Sequence, residues 1–215
     1  MKDTFITKGK RRELCELLIL KGISDKNVLN AIHLLPRHLF FESEFENHAY
    51  QDKAFPILGG QTISQPYTVA FQTQLLEIQE NDKVLEVGTG SGYQASILRI
   101  LKANVYSLEI VPELVEFSKR MFSTLKLSIN HKLSDGTMGW EEHAPFDKII
   151  VTAGAPSVPS PLIHQLKIGG ILVIPVGKEK NTQRMVKITR TQNSFDKQIY
   201  ENFSFVPLTG ALGWQ

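Results

Sequence analysis

Three glycines at alternate positions, Gly88, Gly90 and Gly92, close the apolar run Val84-Leu85-Glu86-Val87, and a helical pattern follows them. Residues without a Cβ take tight dihedrals and let a ligand approach the backbone closely. The following helix aims its free N–H groups at the same spot. Glu109 ends a second apolar run about 20 residues on, the separation at which a carboxylate reaches ribose hydroxyls. Together these residues describe a site for a nucleoside cofactor. A dinucleotide fingerprint, G-x-G-x-x-G, would need a glycine at position 93, where the chain has Tyr93. The G-x-G-x-G turn, with Thr89 and Ser91 between its glycines, suits a cofactor without a pyrophosphate. S-adenosylmethionine is such a cofactor, its amino-acid end lying over the turn, with Ile110 beside Glu109 on the far wall.

Other residues join this set. Asp135 precedes Gly136 after a weak strand, so its carboxylate can accept from an adenine amine while Gly136 admits the base; an Asp-Gly turn with no ligand has the same sequence. Glu86 lies inside an otherwise apolar strand, where an acid needs a partner or a function. It either attracts the cofactor's ammonium or anchors a neighbouring group. The run Thr62-Ile63-Ser64-Gln65-Pro66 has hydroxyls and an extended approach to proline, and no G-x-S-x-G elbow surrounds Ser64.

Composition excludes several classes. A chain of 215 residues with net charge +2 suits one domain with an appendage and does not point to a polyanion partner. The cluster Lys8, Lys10, Arg11 and Arg12 reads as a solvated helix start, with RNA contact as the alternative. Cys15 is the only cysteine and lies in an apolar stretch, so it reads as a packed thiol in a reducing cytoplasm. The six histidines lack metal-ligand spacing, and no metal is expected. No apolar stretch approaches the roughly 20 residues that span a bilayer.

The elements that must position these residues follow from periodicity. Leu14, Leu17 and Leu18 mark an amphipathic helix stopped near Gly22. A second helix, capped by Ser24, carries Val28, Ile32 and Leu35 and ends at Pro36. Residues 38–51 have no clean period, and Gly59-Gly60 breaks the chain. From Lys83 on, strands and helices alternate: strands over 83–87, 104–109, 128–132, 146–152 and 171–176, and helices over 91–101, from Pro112, and over 161–166. Ser91 is the expected cap of the first of these helices. Leu114, Phe117, Met121 and Leu125 form the buried stripe of the second, and Gly169-Gly170 ends the third. Pro175 places the end of its strand at an edge or bend. Strands over 185–189 and 198–206 read as a late antiparallel pair. The alternation predicts an α/β fold of the Rossmann-like kind, a mostly parallel sheet with helices on both faces and ligands at the carboxyl ends of the strands.

The run Ala54-Phe55-Pro56-Ile57 followed by Gly60-Gln61-Thr62-Ile63-Ser64-Gln65-Pro66-Tyr67 resembles the signature of the protein-L-isoaspartate O-methyltransferase family, bacterial branch. So do Asp135-Gly136, Pro145-Phe146-Asp147, Ala153-Gly154-Ala155-Pro156, Leu166-Lys167-Ile168-Gly169-Gly170 and Val206-Pro207-Leu208-Thr209, in family order across about residues 10–215. The resemblance implies a class I S-adenosylmethionine-dependent methyltransferase fold, with a helical extension over residues 1–60 and a cofactor domain over 61–215. It implies methylation of the free α-carboxylate of L-isoaspartyl residues in damaged proteins and peptides, leading through a methyl ester and succinimide towards aspartate. Ser64 is then the residue that orients the carboxylate. Thr62, Pro66 and Thr209 face the substrate, and Gln61, Thr62 and Ile63 join the glycine turn, Glu86, Glu109, Ile110, Asp135 and Gly136 around the cofactor. The expected protein is a cytoplasmic monomer that acts on isoaspartyl chains and binds neither nucleic acid nor membrane.

Overall fold

The structure, a computed structural model, describes residues 3–41 and 44–214. Met1, Lys2, Glu42, Ser43 and Gln215 lie outside the described residues. Helix α1 (Phe5–Leu20) opens with a capping box between Thr4 and Thr7, which satisfies two otherwise orphaned N–H groups. It stops before Gly22, as its sequence predicts. Helix α2 (Lys26–Leu34) is capped by Asp25 rather than Ser24: the Asp25 carboxylate accepts from the N–H groups of Asn27 and Val28. A hairpin of two short strands, β1 (Phe55–Pro56) and β2 (Thr62–Ile63), turns at Gly59-Gly60 and leads into helix α3 (Pro66–Leu76).

A seven-stranded sheet follows. Its strands are β3 (Lys83–Val87), β4 (Asn104–Glu109), β5 (Asn130–Leu133), β6 (Phe146–Val151), β7 (Leu166–Glu179), β8 (Thr182–Arg190) and β9 (Phe195–Phe203). The order across the sheet is β5-β4-β3-β6-β7-β8-β9, with the first five strands parallel and the last two antiparallel. Helices α4 (Tyr93–Ile100), α5 (Pro112–Thr124) and α6 (Ser160–His164) fill crossovers. Successive strand residues point to opposite faces. Val84, Val105, Ile150 and Val173 pack with residues of α3, α4 and α5 on one face. Leu85, Leu108, Ile149 and Leu172 pack with Leu162 of α6 on the other. The chain runs from β3 outward to β5 and then crosses to β6, so β3 ends at the switch point of the sheet, where ligands bind.

Helices α1 and α2 share one core with α3 and α4. Leu14, Leu18, Val28 and Ile32 are buried with Val69, Tyr93 and Ile97. Four local expectations change. Helix α4 is headed by Gly92 in a left-handed conformation; Ser91 Oγ makes only a long contact of 3.4 Å with the Tyr93 N–H, so the first turn has no strong side-chain cap. The deepest stripe of α5 is Leu114, Ser118 and Phe122, with Phe117, Met121 and Leu125 half-buried beside it. Gly169 and Gly170 lie in β7, where register slips from the pair Phe146–Leu166 to Lys148–Ile171; they form a bulge rather than a helix end. Pro175 lies in an interior strand opposite Met185. Its carbonyl accepts from the Ala155 N–H, so its missing N–H faces that same side, beyond the last β6 partner Val173, and costs no ladder bond to β8.

Candidate functional site

The turn after β3 is held by its own backbone. The N–H groups of Gly88 and Thr89 both donate to Leu108 O, at 2.8 and 3.2 Å, which ties the turn to the end of β4. Gly88 has φ +95°, and a Cβ there would lie 2.5 Å from Thr152 Oγ1, so no other residue fits without displacing β6's end. Gly90 has φ +54° and nothing nearer than Ile57 Cδ1 at 3.8 Å. The space a side chain would take at Gly90 is therefore left open to the crevice. Gly92 serves packing instead, set against the ring of Phe122.

The crevice holds about 840 Å³ of open space. It brings together residues that lie far apart in the chain: Gln61, Thr62, Ile63 and Ser64 from the hairpin side, Gly88 to Ser91 from the turn, Glu109 at the end of β4 and Ile110 just after it, Gly136, and Thr209. Four residues of the expected set do not line it. Gly92 packs behind the turn, and Pro66 is buried at the start of α3. Asp135 spends its carboxylate beside the crevice: Oδ1 accepts from Thr137 N and Oγ1, and Oδ2 accepts from Ala211 N at 2.7 Å. These bonds hold Asp135 below the ordinary carboxylate range against the opposing effect of burial. Glu86 lies beneath the turn, fully buried.

Glu109 is nearly buried, and its carboxylate takes three backbone N–H groups. Gly90 N donates to Oε2 at 2.8 Å, and Ile110 N and Val111 N donate to Oε1 at 2.8 and 2.9 Å. A carboxylate has about four acceptor positions, so one remains for a ribose hydroxyl. Glu109 thus shapes the glycine turn as well as facing the crevice. Beneath it, Ser107 Oγ donates to Glu86 Oε2 and Thr89 Oγ1 lies 2.5 Å from Ser107 Oγ. Burial pushes the Glu86 carboxyl up to about 8; Ser107 and the Ala95 N–H at the head of α4 oppose that, and the nearby Glu109 charge adds to it.

Ser64 has no hydrogen bond on its hydroxyl among the described residues, while its carbonyl accepts from Arg37 Nη2 at 2.7 Å. A second cavity, with about 1220 Å³ of open space, runs along Gln65, Tyr67 and the segment 201–206. Thr62, Ser64, Thr152 and Val206 line both cavities. Ser64 therefore stands on the wall that the crevice and this second cavity share. Sequence reasoning missed Arg37, Thr152 and Tyr93. Tyr93 alone carried a signal, as the residue that breaks the dinucleotide spacing.

These residues fit a nucleoside cofactor without a pyrophosphate. Gly90 leaves room, Glu109 keeps an acceptor, α4 has no strong side-chain cap at its head, and Gly136 packs on Val87 so tightly that a Cβ would lie 2.5 Å from Val87 Cγ1. No group of His, Cys, Asp and Glu among the described residues could hold a metal ion.

Comparison with known proteins agrees with this geometry. Residues 9–213 match the family described as Protein-L-isoaspartate(D-aspartate) O-methyltransferase (PCMT). A protein-L-isoaspartate O-methyltransferase of Christiangramia forsetii is 54% identical over 209 residues, which covers 97% of this chain and 98% of that protein. One from Cytophaga hutchinsonii is 50% identical over 215 residues, covering 100% and 97%. A solved protein-L-isoaspartate O-methyltransferase superposes with a TM-score of 0.85 at 27% identity, over 94% of this chain and 67% of that one. A candidate enzyme of the same name from Plasmodium falciparum, in complex with S-adenosyl-L-homocysteine, gives a TM-score of 0.81 at 28% identity, over 93% and 98%.

Proposed function

This chain belongs to the protein-L-isoaspartate(D-aspartate) O-methyltransferase family, and from that premise we infer how its own residues perform the reaction. The reaction is methylation of the free α-carboxylate of L-isoaspartyl residues in proteins and peptides. S-adenosylmethionine supplies, when bound, an electrophilic methyl group on a sulfonium. The ester formed loses methanol to a succinimide, which hydrolyses partly to aspartate, so the enzyme repairs a misrouted backbone.

The acceptor carboxylate is already ionised at neutral pH, so no strong general base is needed. Alignment at near-attack distance supplies up to roughly 7–11 kcal/mol of rate. The observation that supports this reading best is the meeting of the two cavities at Ser64, whose hydroxyl is unspent. Ser64 donates to the acceptor carboxylate and orients it; Thr62 and Thr209 line the acceptor's approach, and Pro66 sets the chain after Ser64. On the donor side Glu109 holds a ribose hydroxyl. Asp135 and Gly136 meet the adenine through the lone pair left on Oδ2 and the close backbone. Gly88, Thr89, Gly90 and Ser91 cradle the amino-acid end, Gly92 supports their turn from behind by packing on Phe122, and Gln61, Thr62, Ile63 and Ile110 close the walls. Glu86 acts from below, through Ser107 and Thr89, on the shape of that cradle.

The same reading divides the chain into an extension over residues 1–60 and a cofactor domain over 61–215. In this reading the protein works as a monomer. It binds no nucleic acid: Arg11 is buried against Asp3 and Arg12 lies beside Glu16, which breaks up the basic cluster. We place it in the cytoplasm, where a free buried thiol such as Cys15 stays reduced. No helix among the described residues is long and apolar enough to cross a membrane.

Incubation with methyl-labelled S-adenosylmethionine tests the reading. An isoaspartyl peptide should acquire a base-labile methyl ester while its aspartyl twin stays unlabelled. Equal labelling of the two would overturn it.

A further inference from the structure

We propose that Arg37 and Asp52, two charged residues outside the crevice, are positioning residues that set the direction of the Ser64 hydroxyl. The inference rests on the orienting role given to Ser64 above and extends it to the groups that hold that residue.

Arg37 follows Pro36 at the end of α2, and its side chain is 0% exposed. No carboxylate pairs with it among the described residues. Its partners are backbone carbonyls: Nε donates to Ala49 O at 3.0 Å and Nη2 donates to Ser64 O at 2.7 Å. The guanidinium also lies over the ring of Tyr93, 4.7 Å from its centroid, and 5.3 Å from that of Phe41. Burying a cation is costly even with the Asp52 charge nearby, and an apolar side chain of similar volume often serves stability as well or better. The planar fork does something an apolar residue cannot. It fixes two carbonyls at set directions while its face stacks on an aromatic ring. One carbonyl belongs to Ser64, on the acceptor side of the crevice. The ring belongs to Tyr93, the first residue of α4 after the glycine turn, on the donor side. Arg37 thus spans the two walls whose separation decides whether the acceptor lies in line.

Asp52 holds the other flank. Its side chain is 6% exposed. Oδ1 accepts from Tyr67 N at 2.8 Å, and Oδ2 accepts from Gln65 Nε2 at 3.0 Å and Lys21 Nζ at 2.6 Å. Gln65 Nε2 donates to Asp52 O as well. Gln65, which precedes α3, offers no side-chain cap, so Asp52 supplies one from a distant segment to the positive end of that helix. Ser64 is therefore caught between a cation on its own carbonyl and an anion on the residues that follow.

The test compares Arg37→Met, Asp52→Asn and Ser64→Ala singly and in pairs. It measures kcat and KM for an isoaspartyl peptide and calorimetric affinity for S-adenosyl-L-homocysteine. Arg37→Met and Asp52→Asn should lower kcat by about 10- to 100-fold, the scale of a 1 Å misplacement, and leave affinity for the nucleoside within about threefold. On the Ser64→Ala background each should change kcat by less than about twofold, because the group being aimed is gone. A purely structural role would multiply the losses instead, and that result overturns the inference, as do single variants with unaltered kcat. Asp52→Asn, closer to solvent and nearly the same shape, carries the test if Arg37→Met does not fold. Unchanged turnover in Ser64→Ala alone would remove the reading of Ser64 and this inference with it; a defective Ser64→Ala beside normal Arg37 and Asp52 variants would remove only this inference.

Discussion

Beneath the glycine turn, Glu86 carries a fully buried carboxyl group bonded by the Ser107 hydroxyl. Folded, it keeps its proton up to about 8, whereas its ordinary value is 4.5. Between those values the folded chain holds a proton that the unfolded chain has released. Its contribution to stability therefore falls as pH rises through that window, by about 1.4 kcal/mol per pH unit, and stops falling above it. Glu86→Gln keeps the shape and removes the titration. Its stability relative to the parent should improve steadily between about pH 5 and about pH 8, as read by urea unfolding at several pH values, and a constant difference would show that Glu86 is ionised in the fold. The presence of an acid in an apolar strand was legible at this scale, and so was a second acid, Glu109, at the end of the next strand. The backbone bonds on Glu109 were not: the one from Gly90 N joins β4 to a turn 19 residues earlier, those from Ile110 N and Val111 N close the carboxylate's own turn, and side-chain type encodes neither.

At the scale of elements, the mostly parallel sheet and the late antiparallel strands follow from apolar periodicity and from the crossovers it requires, whereas the order of the strands across the sheet does not. Some misses are shifts of one to three residues, and others, such as the bulge at Gly169-Gly170, change the element itself; each has a physical cause. Ser24 and Asp25 are both good caps, and only the phase of α2 chooses between them. Gln74 Oε1 accepts from the N–H groups of both, which fixes the chain so that the Asp25 carboxylate faces the first turn. Asp25→Ala should therefore cost about 1 kcal/mol and Ser24→Ala less than about 0.5 kcal/mol in denaturant unfolding. In α5 an apolar stripe overlooks Ser118, which is buried because its hydroxyl donates to Leu114 O at 2.7 Å and is satisfied there. That places Phe122 under Gly92 and supports the turn from behind.

Across the whole molecule, the crevice is an assembly of ends. The hairpin, the turn after β3, the end of β4 and the segment 206–209 each contribute a wall, and Trp214 Nε1 pins the chain's close by donating to Gly154 O at 2.7 Å. A ligand that bridges these walls binds only the folded state. S-adenosyl-L-homocysteine at 100 times its Kd should therefore add about 2.7 kcal/mol, or about 5–10 °C in Tm for a chain of this size. Calorimetry should show that shift, and NADH should produce none. The amino-acid sequence alone determined the alternating architecture, the glycine turn with its acid about 20 residues on, and the family signature around Ser64, because each lies in consecutive residues or in a short period. Tertiary structure alone decided that Arg37 meets Ser64, that Asp135 meets Ala211 and that two cavities share Thr62, Ser64, Thr152 and Val206. Those contacts depend on how separate segments cross and pack in space, and no local pattern of residue types records the angle at which they do so.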